Sequence, residues 1–580
     1  MTGLLRTVRS GLVVAATAAA AGDPALEPRD EAAAPFQPGT RGSALTVLRG
    51  TEVQEIPLSY VGTYRDVVAP GYDVHLVELE GPAAAEFGVA AGMSGSPVYL
   101  EGKLVGALAF RLGFLPKTAL AGVTPIEKML EAARSEDRAP PLAGAAGFAP
   151  IATPVLVGGM PAAVRAWLSP ELERLGFVLV PGGGAGRLPI VASELRPGSP
   201  VGAQLVRGDQ NMTATGTVTF VDGERVFAFG HPFLGAGRVE LPMVSAEVIT
   251  TLADLAGSMK LTNVGSEVGA IVADRQGALV GRIGQRARMA RLDLALRGAD
   301  YGDRRYHFEI VSDRRLTPVL AGAVVAGALH GVGFTQESTL LVAGRVRLAG
   351  TQEVVLERAF SSDSRGHPGI ELATDLLITL AGLGANPFDE ARIESLTLEI
   401  DARAEPVSYT IEDVQYDRGM LDPGQGLRVR CALRRYRGAT IVREIDVPLP
   451  DRLEDWSRLE LVVGNPAQVD RLLGAPVAAR LSSAVDLDSA VRALAELGGA
   501  NRLQAVVFRA GGAVVARGET YSELPPTAER LLATQVGSPR ARATQVSTVA
   551  RGESVLDGPV RGGVRLRLRV DREDRGGSSR

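Results

Sequence analysis

The sequence predicts a mainly β chain in which two β-rich units are followed by β-sandwich-like modules. Three observations carry that expectation. Short strand-like runs broken by glycine-containing turns dominate the 580 residues. Helical patterning is confined to a few stretches. From about residue 392, through "ESLTLEIDARAEPVSYTIEDVQYDRG", alternating strands and turn signals succeed one another as they do in a sandwich.

Taken in order, the chain opens with "MTGLLRTVRSGLVVAATAAAAGDPALEPRD", in which two arginines precede an apolar run and then acidic, proline-containing sequence. This is the layout of a secretory signal peptide over 1–21, followed by a linker over 22–42. The run falls short of the roughly 20 residues a membrane span needs, so export is expected and an uncleaved anchor is the alternative. A serine-bearing unit covers 43–135 and closes on the helix "TPIEKMLEAAR" at 124–134, where Thr124, Pro125 and Glu127 follow the order of an N-cap, first turn and capping box. An Ala/Pro/Gly-rich linker spans 136–160. A histidine-bearing unit then runs over 161–320, with helices expected at 161–176 and near 243–257. A β-rich connecting region at 321–391 leads to the sandwich-like module at 392–465. Next come a small α/β region at 466–570, with a helix at 488–499, and a disordered tail at 571–580.

A net charge of −4, with 22% charged residues, excludes a polyanion-binding surface, and no nucleic-acid partner is expected. The lone Cys431 rules out an intramolecular disulfide and reads as a buried strand thiol. "PGGGAGRLP" at 181–189 has neither the lysine nor the following helix of a phosphate loop and reads as a turn. No cofactor is indicated, and no His, Cys and carboxylate group has metal-site spacing.

The chemistry concentrates in "GVAAGMSGSPVYLEGKLVGALAF" at 88–110. Acyl transfer needs a serine on a tight turn, with backbone amides converging on the developing oxyanion. Gly92 and Gly95 permit the turn, and the amides of Gly92 and Ser94 are its natural donors. Pro97 begins a hairpin around Glu101–Gly102 that would hold the loop rigid, while Ser96 supports the turn. The pattern is that of the "GDSGGP" loop of chymotrypsin-like proteases with methionine in the aspartate's place. On the loop alone, catalysis and an ordinary Gly/Ser-rich turn stand level.

A nucleophile needs a base, and five histidines are available. His75, His307 and His330 read as strand or packing positions and His367 as an exposed loop. His231 differs, because in "GTVTFVDGERVFAFGHPFLGAG" a hairpin turning at Asp222–Gly223 delivers it to a glycine-flanked strand end.

"GMSGSPVYLEGKLVGALAF", followed by "AGVTPIEKMLEAA", resembles the serine segment of the SpoIVB peptidase family, serine peptidases related to chymotrypsin and first known from bacterial sporulation. "VRGDQNMTATGTVTFVDGERVFAFGHPF" is similar to that family's histidine segment. The resemblance covers roughly 43–135 and 200–300. It implies a two-barrel trypsin-like fold with Ser94 as nucleophile and His231 as general base, and a protein or peptide substrate. In the sporulation peptidases the histidine half comes first; here Ser94 does, so the halves read as permuted. The family's aspartate upstream of the nucleophile is missing from "VELEGPAAAEFGVAAGMS", where Glu80 is the nearest acid. Asp274, in the same expected barrel as His231, is the other candidate, and a Ser/His dyad without an acid is a third possibility. The expected function is an exported serine endopeptidase. A pseudo-peptidase serving as an envelope binding or scaffold protein is the alternative, with a peripheral membrane or envelope partner in either case.

Overall fold

Six antiparallel strands close on themselves in the first part of the chain. In the computed structural model they are β1 (Arg41–Thr46), β2 (Gln54–Ala69), β3 (Tyr72–Leu79), β4 (Pro97–Leu100), β5 (Lys103–Leu112) and β6 (Ala119–Pro125), joined in the ring β1-β2-β3-β6-β5-β4 and back to β1. Helix α1 (Gly81–Phe87) bridges β3 and the serine loop, and α2 (Ile126–Arg134) follows β6. The structure describes residues 36–568, apart from 114–116, 135–147, 175, 183–194, 334–336, 351, 363–366, 385–390, 418–425, 451–458, 475–485, 496–497, 517–518, 523–526 and 529–540. The segment 1–21 expected to be a signal peptide, most of the glycine run at 181–189 and the tail expected at 571–580 therefore lie outside the described residues.

After β7 (Phe148–Pro150), β8 (Thr153–Gly158), α3 (Ala162–Glu173) and β9 (Phe177–Pro181), a second ring forms. Its strands are β10 (Pro200–Gly208), β11 (Asn211–Asp222), β12 (Arg225–Ala228), β13 (Gly237–Leu252), β14 (Met259–Asp274) and β15 (Leu279–Ile283), closed as β10-β13-β14-β15-β12-β11 and back to β10. The chain is thus mainly β and built on barrels, 55% strand and 19% helix. The two rings share a core in which Ala107, Met129 and Ala132 from the first pack against Phe227, Ala278 and Val280 from the second.

The second ring opens into a larger sheet through β17 (Arg304–Val311), β16 (Met289–Arg297), β20 (Ile393–Arg403), β18 (Thr339–Leu348) and β19 (Glu353–Ser361). Two apolar helices pack with it, α4 (Leu316–Gly331) and α5 (Pro368–Gly384). The outer strands alternate buried and exposed residues, as a sheet with one covered face must.

The C-terminal part is a two-sheet sandwich. One sheet holds β21 (Tyr409–Tyr416), β22 (Gly426–Arg435), β23 (Thr440–Pro448) and β28 (Val560–Arg561). The other holds β24 (Leu459–Gly464), β25 (Arg502–Ala516), β26 (Glu519–Ser522), β27 (Ala541–Val555) and β29 (Gly563–Arg567). Leu433, Val429 and Cys431 of the first sheet share a core with Leu461, Val463 and Val507 of the second. Cys431 is a buried strand thiol, as expected, and burial pushes it up to about 12.

The structure departs from the sequence reading at several boundaries. The helix expected near 243–257 is instead β13, because its β-branched run lies between β10 and β14 and has ladder partners on both sides. Thr124 and Pro125 finish β6 rather than start α2, and the Thr124 hydroxyl donates to Gly230 O, across the barrel interface. The region 321–391 carries α4 and α5 around the β18–β19 hairpin, and His330 lies in the last turn of α4 rather than on a strand. The strand at 393–403 joins the large sheet through parallel pairing with β16, so the sandwich begins at β21. Apart from β24, its second sheet is drawn from the region read as α/β.

Candidate active site

Ser94 lies in the turn that runs from Ala91 into β4. Gly92 and Gly95 hold φ of 89° and 92°, the left-handed region glycine occupies without strain. Met93 N donates to Ala90 O at 3.1 Å and Ser96 N to Met93 O at 2.9 Å, closing the turn on itself. The second barrel grips it from below. Thr217 Oγ1 donates to Gly92 O at 2.9 Å, Thr217 N to Ser94 O at 2.8 Å, and Thr219 Oγ1 to Gly95 O at 2.7 Å. Thr217 and Thr219 point the same way because they are two apart on β11. With their carbonyls held, Gly92 and Ser94 keep their amides free of any protein acceptor among the described residues.

His231 follows β12 through two left-handed residues, Phe229 at φ 69° and Gly230 at φ 70°. A phenylalanine in that region is strained, and it is held there by its own amide, which donates to Thr217 O at 3.2 Å. The serine turn and the histidine turn therefore hang from one residue, Thr217. His231 is only 2% exposed, and its Nδ1 lies 2.9 Å from Pro232 O. A carbonyl can only accept, so Nδ1 carries the proton and Nε2 presents its lone pair. That Nε2 has no partner among the described residues, and neither has Oγ of Ser94, which is fully buried. The two groups expected to exchange a proton are thus both unpartnered and do not hydrogen bond to each other. Desolvation pushes the imidazole down to about 4, against the opposing pull of the Pro232 and Ile151 backbones, so it is neutral near pH 7.

Neither candidate acid touches the ring. Asp274, fully buried at the end of β14, spends its carboxylate on three amides: Phe233 N at 2.7 Å, Leu234 N at 2.6 Å and Ala236 N at 3.2 Å. Burial raises its pKa while those amides oppose the rise. It fixes the segment immediately after His231 and orients the imidazole only through the backbone. Glu80 is exposed just before α1; its amide donates to Pro57 O, and its carboxylate makes no hydrogen bond or ion pair among the described residues. The groups facing the imidazole in place of an acid are backbone carbonyls: Pro232 O accepts from Nδ1, and the Ile151 backbone also pulls on the ring.

Of the other histidines, His307 pairs with Asp293 at the surface, His75 bonds Thr63, and His330 stacks on His367 with ring centroids 3.9 Å apart. Among the described residues no group of three or more His, Cys, Asp and Glu side chains could hold a metal ion.

Lys260 is the residue the sequence reading missed. It enters β14 beside the serine turn, its amide donating to Ala91 O at 3.0 Å, and its side chain is 2% exposed. The available signal was its rarity, one of four lysines in the chain, within the apolar run "GSMKLTNVG". Compared with known proteins, the chain matches no family model, no curated protein and no solved structure.

Proposed function

We propose that the chain is an exported serine endopeptidase of the SpoIVB type, acting on protein or peptide substrates. Ser94 Oγ attacks the scissile carbonyl and passes its proton to Nε2 of His231. The oxyanion is received by the amides of Gly92 and Ser94. The imidazolium then protonates the leaving amine, and water repeats the sequence in reverse to release the acid. The observation that carries this reading is the meeting of two turns from separate barrels on Thr217. One carries an unpartnered serine hydroxyl and the other an imidazole in the tautomer a base requires. Export rests on the N-terminal segment alone.

The burial of the two groups and the absence of a hydrogen bond between them favour a second reading, a pseudo-peptidase that keeps the scaffold as an envelope binding protein. Catalysis requires a closed site to admit substrate and bring Oγ within about 2.6–3.2 Å of Nε2. Incubating the purified chain with a fluorophosphonate probe separates the two. The peptidase reading expects covalent labelling that Ser94→Ala abolishes and His231→Gln reduces by about a hundredfold or more. An unlabelled wild type supports the binding protein.

A further inference from the structure

Beneath the serine turn lies an amine without a counterion. Lys260 Nζ is 2.6 Å from Thr46 Oγ1 on β1 and 3.3 Å from Thr217 Oγ1 on β11. Among the described residues it forms no ion pair, although buried ammonium groups ordinarily have one. Each hydroxyl leads back to the turn. Ser96 Oγ donates to Thr46 Oγ1 at 3.1 Å, and Thr217 Oγ1 donates to Gly92 O at 2.9 Å. The aliphatic stem packs under Gly92, where a Cβ would come within 3.3 Å of Lys260 Cβ. Lys260 thus packs against Gly92 at one end of the turn and reaches Ser96 at the other through Thr46, and it ties strands of both barrels together.

We propose that Lys260 is a positioning residue of the Ser94 site, its amine acting through the hydroxyls of Thr46 and Thr217 on the turn that presents the nucleophile. The proposal rests on the peptidase reading for its effect on reactivity, and on the hydroxyl cluster alone for its effect on the turn.

The cluster has two hydrogen-bonding states. As an ammonium, Lys260 donates to both threonines. As a neutral amine it can accept from Thr46, whose own proton is free because Thr46 Oγ1 otherwise only receives, from Ser96. Desolvation brings the amine down to about 7, so both states are populated near neutrality. The groups that hydrogen bond to Nζ among the described residues are hydroxyls: Thr46 from β1 and Thr217 from β11, with Ser96 joined through Thr46. The acids Glu247 on β13 and Asp254 in the loop after it make no bond to Nζ. Losing the proton therefore changes the direction of hydrogen bonds in the cluster without breaking an ion pair.

The test uses the full chain and its four lysines. With 13C at lysine Cε, the wild type is expected to show one resonance titrating near pH 7. Lys260→Met should remove that resonance and Thr46→Val should move it. All four titrating above about pH 9.5 would overturn the proposal, whether or not the protein is a peptidase. In the labelling assay, wild-type rates should show an inflection near pH 7 in addition to the one from His231. Lys260→Met, with its melting temperature checked to confirm folding, should lose that inflection and label about a hundredfold more slowly. A Lys260→Met variant that labels with the wild-type rate and pH profile overturns the proposal and leaves the peptidase reading standing. A wild type that never labels, with a lysine that titrates near 7, overturns the peptidase reading and leaves the lysine's hold on the turn.

Discussion

Gly95 lies so close to the backbone of Phe229 that a Cβ on it would stand 2.4 Å from Phe229 N and 2.0 Å from Thr217 O. Two barrels meet at that contact with no room for a methyl group, and the Ser94 turn and the His231 turn are its two sides. Gly95→Ala is therefore expected to destabilise the protein by about 3 kcal/mol or more, since both strain at φ 92° and a backbone collision act together. The measurement is thermal unfolding, beside Gly102→Ala, where nothing lies within 4 Å and only the φ of 77° resists. Equal losses at the two glycines would contradict the tight contact.

Asp274 supports the histidine turn through three amides. Asp274→Asn can accept fewer of those bonds and presents an N–H where an acceptor is needed, so a cost of about 3 kcal/mol is expected. Fluorophosphonate labelling should fall as well, because the backbone after His231 loosens. Glu80→Gln should change neither property. A Glu80→Gln variant with greatly reduced labelling would return Glu80 to the catalytic machinery.

His231 makes stability depend on pH in a defined direction. Its folded value of about 4 lies below the ordinary 6.5, so between these values the unfolded chain binds a proton that the folded chain refuses. Unfolding free energy must then rise with pH across that window, by about 3 kcal/mol in all. Melting temperatures from about pH 4 to about pH 7 should rise more steeply for wild type than for His231→Gln. The same depression keeps the base unprotonated down to about pH 4, so labelling should persist well into acid.

Thr217 and Thr219 hold three carbonyls of the serine turn between them, two through their hydroxyls. Thr219→Val removes the hydroxyl bond to Gly95 O and should cost about 1 kcal/mol, with slower labelling. Thr217→Val keeps its amide bond to Ser94 O but loses Gly92 O and one ligand of Lys260, so the larger loss of labelling is expected there.

The barrels were legible because each strand ends on a turn that its own residues dictate. The hairpin at Glu101–Gly102, with φ of 50° and 77°, and the Gly223 turn, with φ of 59°, both formed where glycine demanded them. The turns that carry Ser94 and His231 were legible for the same reason, each residue having beside it a glycine that a tight turn requires. β13 was misread as a helix because its identity comes from strands far away in sequence, which periodicity over a short window cannot sense. The surroundings of the candidate acids were not legible, because proximity in sequence says nothing about which amides a carboxylate such as that of Asp274 will choose. Lys260 escaped because its partners, Thr46 and Thr217, lie more than two hundred and more than forty positions away. One clue was available, in "NMTATGTVTF": threonines at 213, 215, 217 and 219 form a polar stripe on one face of a strand. β11 is buried over most of its length, so its polar face needs buried partners: Thr217 and Thr219 find them in the serine turn, and Thr213 bonds Asn211.

The order of the halves bears on biosynthesis. Ser94 belongs to a ring that is complete by Pro125, and the strands that cradle its turn arrive only with β11 and β14. Domains form as the ribosome or translocon releases them, amino end first. A nascent chain thus exposes the barrel that bears Ser94 before it owns His231, a floor for the turn, or the lysine beneath it, and the Ser94 turn reaches its final setting only once the second barrel has folded against the first.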